Sequence, residues 1–193
     1  MSKLKLGVAL CGSYCTYEEV FAEIERLCSE YDVTPIMSEN SSVTDSRFGT
    51  AKGFAQRIEE LSGKKPICSI AAAEPIGPKK LLDVLLVMPC TGNTLAKIAA
   101  GITDTAVTMA VKAHLRNEKP VVLAIATNDG LAGNAANIGA LLNRRNIYFV
   151  PIRQDDPTKK PRSIIADFSL AEAAVEMANE GEQIQPIIMC PAK

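Results

Sequence analysis

Two short runs of purely apolar residues constrain the fold of this chain more than any other feature. They are VLLVM at Val84–Met88 and VVLAIA at Val121–Ala126, and neither contains a polar side chain. Short apolar runs rich in β-branched residues are typical of strands covered on both faces, as in a parallel sheet. The chain is therefore expected to place helices on both sides of a central sheet.

Strand-like and helix-like segments alternate along most of the chain. A strand predicted at Lys3–Leu10 precedes a helix at Thr16–Glu30, and the alternation continues to a last helix capped by Ser169. This pattern indicates parallel strands joined by right-handed crossovers. We therefore predict an α/β fold, a three-layer doubly wound parallel sheet of Rossmann-like type. Further strands are predicted at Val33–Met37, Ile67–Ile70 and Ile147–Val150, further helices at Phe48–Leu61, Asn93–Ala100, Asp104–Arg116 and Asn134–Arg145, and polar loops at 38–46 and 155–161.

Length and charge limit the classes of protein to which the chain can belong. Its 193 residues suit a single domain, whose tail at 181–193 is expected to be partly mobile or to pack on a neighbour. A net charge of −1 does not favour nucleic acid as a partner. Because no apolar stretch reaches the roughly 20 residues of a membrane span, we expect a cytoplasmic protein that is not a membrane protein. The apolar N-terminus is interpreted as a core strand and not as a signal peptide.

The six cysteines form no C-x-x-C pair, and His114 is the single histidine. We therefore expect no metal site and no structural disulfide. Cys90 stands apart because it follows the VLLVM strand in an unusual turn. It is either a reactive thiol or, as we favour, a small residue that fills the turn.

Small and polar residues follow several of the predicted strands. In a doubly wound sheet these positions meet at one edge, where ligands bind and helix N-termini present free N–H groups. They predict a phosphate-bearing ligand, although glycines and hydroxyl residues are also ordinary turn and cap residues. The P-loop and G-x-G-x-x-G patterns are absent, which argues against a nucleoside triphosphate or a standard dinucleotide site. The segments are Cys11–Tyr14, Ser38–Ser42, Pro89–Thr94 and Thr127–Gly130.

The segment DVLLVMPCTGNTLAKIAAGITDTAVT at 83–108 resembles the flavoprotein family of homo-oligomeric flavin-containing cysteine decarboxylases. This resemblance implies FMN as cofactor, with catalytic roles for Asn93 and Asn128. Asn93 has an alternative role as a helix N-cap. The implied cofactor-binding residues are Gly12, Ser13, Ser38, Cys90, Thr91, Gly92 and Thr94, and further matches to the family pattern are Pro89, Lys97, Gly101, Asp104 and Ala126.

A narrower resemblance links the chain to one branch of this family, the B subunits of dipicolinate synthases. It rests on KLGVALCGSYCTYEEV, SENSSVTDSRFG, AAEPIGPKKLLDVLLVMPCTGNTLAKIA and VLAIATNDGLAGNAANIG. It implies oxidation of a dihydrodipicolinate-type intermediate to dipicolinate in the mother cell of a sporulating bacterium, together with an A subunit that carries NADP. A dicarboxylate substrate needs a nearby cation. Arg47 is the first candidate, ahead of Lys97, Arg144, Arg145 and Arg153.

Two departures from the family pattern bear on activity. The decarboxylases carry an early catalytic histidine, whereas His114 lies late in a predicted helix, so an independent decarboxylase is disfavoured. Thr127 replaces a methionine of the family pattern, which makes the pocket more polar. A non-catalytic assembly subunit with a vestigial flavin site is the remaining alternative. The apolar face at 102–111 favours a trimer-based homo-oligomer.

Overall fold

The computed structural model describes residues 3–189, which form one central sheet with helices packed on both faces. Helices α1 and α8 cover one face, and α6 packs on the other together with α4 and α5. The predicted α/β fold class is thereby confirmed. The strands are β1 (Lys5–Leu10), β2 (Asp32–Met37), β3 (Val84–Cys90), β4 (Val121–Thr127), β5 (Ile147–Phe149), β6 (Ile152–Asp156) and β7 (Lys160–Ala166). The helices are α1 (Tyr17–Glu30), α2 (Glu39–Val43), α3 (Ala51–Ser62), α4 (Ile70–Ala73), α5 (Gly92–Ala100), α6 (Ala106–Leu115), α7 (Ala135–Leu142) and α8 (Ala171–Asn179).

Five of the seven strands are parallel and run in the order β2-β1-β3-β4-β5. The first half of β4 pairs with β5 at 121–123. Its second half pairs antiparallel with β7 through Ala126 and Thr127. The hairpin formed by β6 and β7 therefore joins the sheet at the carboxyl end of β4. This is the end at which ligands are expected in such folds.

The hairpin was not predicted, because its polar tip resembles a solvent-exposed loop. The interpretation of 155–161 as a loop was wrong except for the tip, since β6 ends at Asp156 and β7 begins at Lys160. The run Ser163–Ala166 does carry a sign of a strand, because it ends with three apolar residues. The pairing of this strand with β4 cannot be inferred from the local pattern.

The predicted strand at Ile67–Ile70 was also wrong. Only Ile67 pairs, in a single bridge to Ile36, and α4 begins at Ile70. Pro66 lacks the N–H group that a longer ladder would use at that position. Pro35 is tolerated within β2 because β2 is an edge strand of the sheet. The Pro35 carbonyl accepts the N–H of Ile67.

Two local predictions about turns need correction. The polar loop at 38–46 contains the short helix α2, capped by Ser38. Ser169 does not cap the last helix, because α8 begins at Ala171 and Ser169 lies in a preceding 3₁₀ turn. There, Asp167 Oδ1 accepts the Ser169 N–H at 3.2 Å and its hydroxyl at 2.6 Å.

The apolar runs that predicted the fold are buried as expected, and all residues of 84–88 and 121–125 are fully inaccessible. The face at 102–111 is not the open surface that the sequence suggested. Val107, Ala110 and Val111 are buried beneath their own sheet, whereas Ile102 is 49% exposed. An oligomer therefore has a smaller apolar surface to use here than the sequence implied.

The described part of the tail packs on the body of its own chain. The side chain of Gln183 accepts the Phe149 N–H and donates to the Phe149 carbonyl, both at 2.8 Å. Ile188 forms a parallel bridge with Ile152. The last residues of the predicted tail, 190–193, lie outside the described residues.

No helix within residues 3–189 combines the length and the apolar character that crossing a bilayer requires.

Candidate functional site

The carboxyl ends of β1, β3 and β4 border a cleft made of two adjoining cavities. The first cavity has a volume of about 290 Å³ and the second about 230 Å³, and both are bordered by Gly12 and Thr91. Together they have the size of a small-molecule site. The first cavity is lined by Gly12, Ser38, Glu39, Asn40, Thr91, Asn93, Thr94, Lys97, Asp104 and Thr105. The second is lined by Gly12, Ser13, Cys15, Thr16, Thr91, Gly92, Ala126, Thr127, Asn128, Asp155, Lys160, Ser163, Ile164 and Ile165.

The turn after β3 starts α5 and carries the residues shared by the two cavities. Thr91 is the N-cap, and its Oγ1 accepts the N–H of Thr94 at 3.3 Å. Asn93 is the second residue of the helix, is exposed, and lines the first cavity. The alternative that Asn93 caps the helix is therefore wrong, and its amide is left for another partner.

The first turn of α5 offers backbone donors to the cleft. The leading N–H groups of any helix lack intrahelical acceptors. Thr91 satisfies that of Thr94, and the Thr91 carbonyl accepts the N–H of Leu95. The N–H groups of Gly92 and Asn93 are among these leading groups, and the two residues line the second and first cavities. A phosphate or carboxylate is the class of ligand that such donors favour.

Hydroxyl groups of the predicted phosphate site are present but partly engaged. Ser38 Oγ lies 2.9 Å from Ser41 Oγ and accepts the Ser41 N–H at 3.3 Å, which caps α2. Thr94 Oγ1 donates to Cys11 Sγ at 3.3 Å. The Ser13 hydroxyl makes a long contact of 3.9 Å with Cys15 Sγ. The hydroxyls of Ser38 and Thr94 border the first cavity, whereas Ser13 borders the second.

Gly12 and Gly92 differ in what surrounds them. A Cβ added at Gly12 would meet nothing closer than the Tyr14 ring at 3.5 Å. A Cβ at Gly92 would lie 2.5 Å from both Asn134 Nδ2 and Thr127 Oγ1. The fold itself thus requires glycine at position 92, whereas the space beside Gly12 is free for a ligand.

The charged side chains of the first cavity, one lysine and two carboxylates, leave it with a net negative charge. Lys97 Nζ lies 2.8 Å from Asp104 Oδ2, and Glu39 adds a second carboxylate. A phosphate placed here would depend on backbone N–H groups and hydroxyls more than on a free cation. The donor set of amides, hydroxyls and one lysine fits a phosphate monoester, with the two carboxylates acting against it.

A polar cluster at the end of β4 supports the second cavity. The carboxylate of Asp129 accepts hydrogen bonds from Thr127 Oγ1 and, at 2.8 and 2.9 Å, from Asn134 Nδ2. These hydrogen bonds lower the pKa of Asp129, and the bond from Thr127 has the largest effect. The carboxylate is therefore ionised. Asn128 is exposed and lines the cavity, with its Oδ1 3.4 Å from Ser163 Oγ.

Two cysteines beside the cleft, Cys11 and Cys90, are buried and protonated, whereas Cys15 in the second cavity is exposed. Burial raises the pKa of Cys90 well above its usual range and that of Cys11 to about 11. A thiol is a poor nucleophile when it is protonated. The Cys90 side chain has no exposed surface. It is therefore a small buried residue, as the sequence favoured over a reactive thiol, although it ends β3 and does not lie in the turn.

Arg47 is not brought into the cleft. It lies on the exposed turn before α3, with its guanidinium 4.8 Å from the centroid of the Phe48 ring. The cations that do line the cleft are Lys97 in the first cavity and Lys160 in the second. Sequence reasoning missed Lys160, together with Asp155 and Ser163, because all three belong to the unpredicted hairpin.

His114 lies far from the cleft, at the opposite end of the sheet. It is 1% exposed in α6, near Asp83 and Pro120, which precede β3 and β4. Burial lowers its pKa to about 4, so its imidazole is neutral at pH 7. It has no part in the chemistry of the cleft.

Comparisons with known proteins agree with this architecture. The sequence profile of the family described as Flavoprotein matches residues 1–164. The dipicolinate synthase B subunit of Bacillus subtilis (strain 168) is 45% identical over 193 residues, covering 98% of this chain and 96% of the relative. The crystal structure of the dipicolinate synthase B subunit from Bacillus halodurans C superposes with a TM-score of 0.88 at 40% identity, covering 98% of each chain.

More distant structures share the fold alone. The FMN-dependent cysteine decarboxylase SpaF superposes with a TM-score of 0.61 at 22% identity, covering 93% of this chain and 98% of SpaF. The strong matches span nearly the full length and include every segment that borders the cleft. The chain therefore belongs to the flavoprotein family, within the branch of dipicolinate synthase B subunits.

Proposed function

We propose that this chain is the flavin-site subunit of a dipicolinate synthase. With an A subunit it forms dipicolinate from a dihydrodipicolinate-type intermediate, in the cytoplasm of the mother cell during sporulation. The observation that carries the proposal is the two-part cleft at Gly12 and Thr91, in a chain that is 45% identical to a dipicolinate synthase B subunit over almost its whole length. We treat residues 1–193 as one domain.

The phosphate of FMN is assigned to the first cavity. The N–H groups at the start of α5 and the hydroxyls of Ser38 and Thr94 supply donors there, and Gly12 leaves space. Ser13 would reach the ligand from the neighbouring second cavity. When bound, the flavin supplies a group that accepts a hydride and later releases it. The role of these residues is to hold the phosphate and thereby fix the position of the ring.

Asn93 and Asn128 are assigned to the substrate. Each is exposed at the cleft, and each amide can donate to a carboxylate. Two amides in different cavities can hold the two ends of a small dicarboxylate. Holding the substrate at both ends orients the ring carbon that loses its hydrogen. Orientation of this kind can lower the activation barrier by several kcal/mol.

In this proposal the A subunit supplies the nicotinamide cofactor, which this chain does not bind. The A subunit carries NADP and takes part in the oxidation, so this chain alone has little synthase activity. The chain also assembles with copies of itself into trimer-based oligomers. A distant structural relative, an FMN-dependent UbiX-like decarboxylase, is dodecameric.

A second candidate is a non-catalytic assembly subunit with a vestigial flavin site. It is favoured by the carboxylates of Glu39 and Asp104 in the first cavity, which oppose a phosphate dianion. An independent decarboxylase has less support, because His114, the single histidine, lies at the other end of the sheet.

The visible absorbance spectrum of the purified chain, with and without added FMN, distinguishes these functions. We expect a bound flavin spectrum, and dipicolinate formation only in the presence of both NADP and the A subunit. A chain that binds no FMN but still supports full synthesis with the A subunit would favour the assembly role. Dipicolinate synthesis by the A subunit without this chain, at an unchanged rate, would contradict both candidates.

A further inference from the structure

Two charged side chains of the second cavity come from the β6–β7 hairpin. Lys160 Nζ lies 2.7 Å from Asp155 Oδ2, and both residues line the cavity with Asn128. β7 is held against β4 by the pairing of Thr127 with Ile164. This register places the hairpin directly beside the end of β4, where Asn128 follows.

Ser163 connects the charged pair to Asn128. It is 3% exposed, and its Oγ lies 3.3 Å from the Thr127 carbonyl, 3.4 Å from Asn128 Oδ1 and 3.4 Å from Asp155 Oδ2. A hydroxyl has a single proton to donate, so it cannot satisfy three acceptors at once. Asp155 therefore depends on Lys160 as its main partner, and the Lys160 ammonium is held at the cavity.

The Lys160–Asp155 pair is well suited to exchange of partners. The Lys160 side chain is 53% exposed and that of Asp155 is 30% exposed. Ion pairs this close to solvent contribute little to stability. A carboxylate that enters the cavity can thus replace Asp155 at the ammonium without disturbing the fold.

Other cations are poorly placed for this role. Lys97 lines the first cavity together with the carboxylates of Asp104 and Glu39, and Arg47 stacks on Phe48 outside the cleft. Arg144 donates to the carbonyl of Ile98. Within residues 3–189, Lys160 is the cation that lines the second cavity.

We infer that Lys160 binds a carboxylate of the substrate, taking it in exchange for Asp155, beside the Asn128 amide. This inference rests on the proposed function and adds a specificity determinant to it. The ligand class is a small dicarboxylate, one of whose carboxylates is recognised by the hairpin. A related monocarboxylate lacks the carboxylate that Lys160 binds, and it therefore binds more weakly.

Calorimetric titration of dipicolinate and picolinate into the purified chain tests this assignment. Lys160→Met should weaken dipicolinate binding at least tenfold, abolish most of the preference over picolinate, and leave FMN binding within twofold. Lys160→Arg should restore much of the preference, and Asp155→Asn should bind dipicolinate at least as tightly as the parent. In the reconstituted synthase, Lys160→Met should raise KM with kcat nearly unchanged.

Lys159→Met is the matched control. Lys159 is the exposed neighbour in the hairpin tip, lies outside both cavities and is expected to match the parent in every assay. Equal dipicolinate binding by Lys160→Met and the parent would overturn the inference while leaving the proposed function intact. An equal loss of FMN binding would assign Lys160 to the cofactor instead. A parent that neither binds dipicolinate nor supports its formation would overturn both.

Discussion

At the scale of single residues, the position of Asn93 distinguishes a role in capping α5 from a role in binding a ligand. Thr91 caps α5, so the amide of Asn93 is not needed to start the helix. An exposed amide beside a cavity, with no acceptor or donor within residues 3–189, is free to bind a ligand. This gives mutations at Asn93 a clear expected signature.

Asn93→Asp should slow dipicolinate formation with the A subunit at least tenfold, which corresponds to about 1.4 kcal/mol. The substitution keeps the size of the side chain but places a negative charge next to an anionic substrate. A negative charge in the first turn of a helix does not destabilise it. The melting temperature should therefore stay near that of the parent, and full activity of the variant would favour the assembly role.

Gly12 and Gly92 form a matched pair at the same scale. Gly12→Val should weaken FMN binding at least tenfold with little change in stability, because an added Cβ meets only the Tyr14 ring, at an ordinary contact distance of 3.5 Å, and the side chain would occupy space assigned to the ligand. Gly92→Ala should lower the free energy of unfolding by about 1–3 kcal/mol, because its Cβ would overlap Asn134 and Thr127. Urea unfolding and FMN titration measure the two effects, and equal destabilisation by both variants would contradict the assignment.

At the scale of elements, helices and strands are placed by long-range contacts as much as by their own patterns. The antiparallel hairpin is the clearest case, since β7 pairs with the far end of β4. α6 is another, because its broad apolar face is needed to cover β3 and β4.

His114, in α6, is expected to make the free energy of unfolding depend on pH. Its folded pKa of about 4 lies below its usual value of 6.5, because burial disfavours the imidazolium; Asp83 and Lys119 are its charged neighbours. Below pH 6.5 the unfolded chain binds a proton that the folded chain does not bind until about pH 4. The stability contributed by the neutral side chain is therefore lost as pH falls through this window, by up to about 3 kcal/mol.

Denaturant unfolding of the parent and of His114→Leu between pH 7.5 and 4.5 checks this expectation. The comparison cancels the contributions of other titrating groups such as Glu23, which the variant retains. We expect the parent to lose stability on acidification more steeply than His114→Leu. Parallel curves for the two proteins would show that His114 is not buried in solution.

At the scale of the whole molecule, the exposed apolar surface predicts assembly. Ile102 is 49% exposed at the edge of a groove of about 410 Å³ that also contains the half-buried Leu115. Light scattering at micromolar concentration should give a mass that is a multiple of three chains. Ile102→Asp should shift the mass downward, whereas Lys52→Asp on the exposed side of α3 should not. A monomeric parent would contradict the prediction.

Local sequence patterns were enough to predict the α/β class, most of the strands and helices, and the turn at Thr91–Thr94. These features depend on apolar runs, helical periodicity and capping residues, which act over a few positions. The turn was also identifiable because its residue types match a specific family pattern at Asn93.

The side chains that line the cleft could be identified only from the folded chain. Arg47 and Lys160 look alike in the sequence as cations in polar segments, yet only Lys160 reaches a cavity. The sequence places Cys90 in the turn, yet it is the last residue of β3 and its side chain is fully buried. The physical reason is that side-chain position at a sheet edge depends on strand pairing between segments far apart in the chain. The pairing of β7 with β4 creates the wall of the second cavity, and no local pattern in either strand specifies that contact.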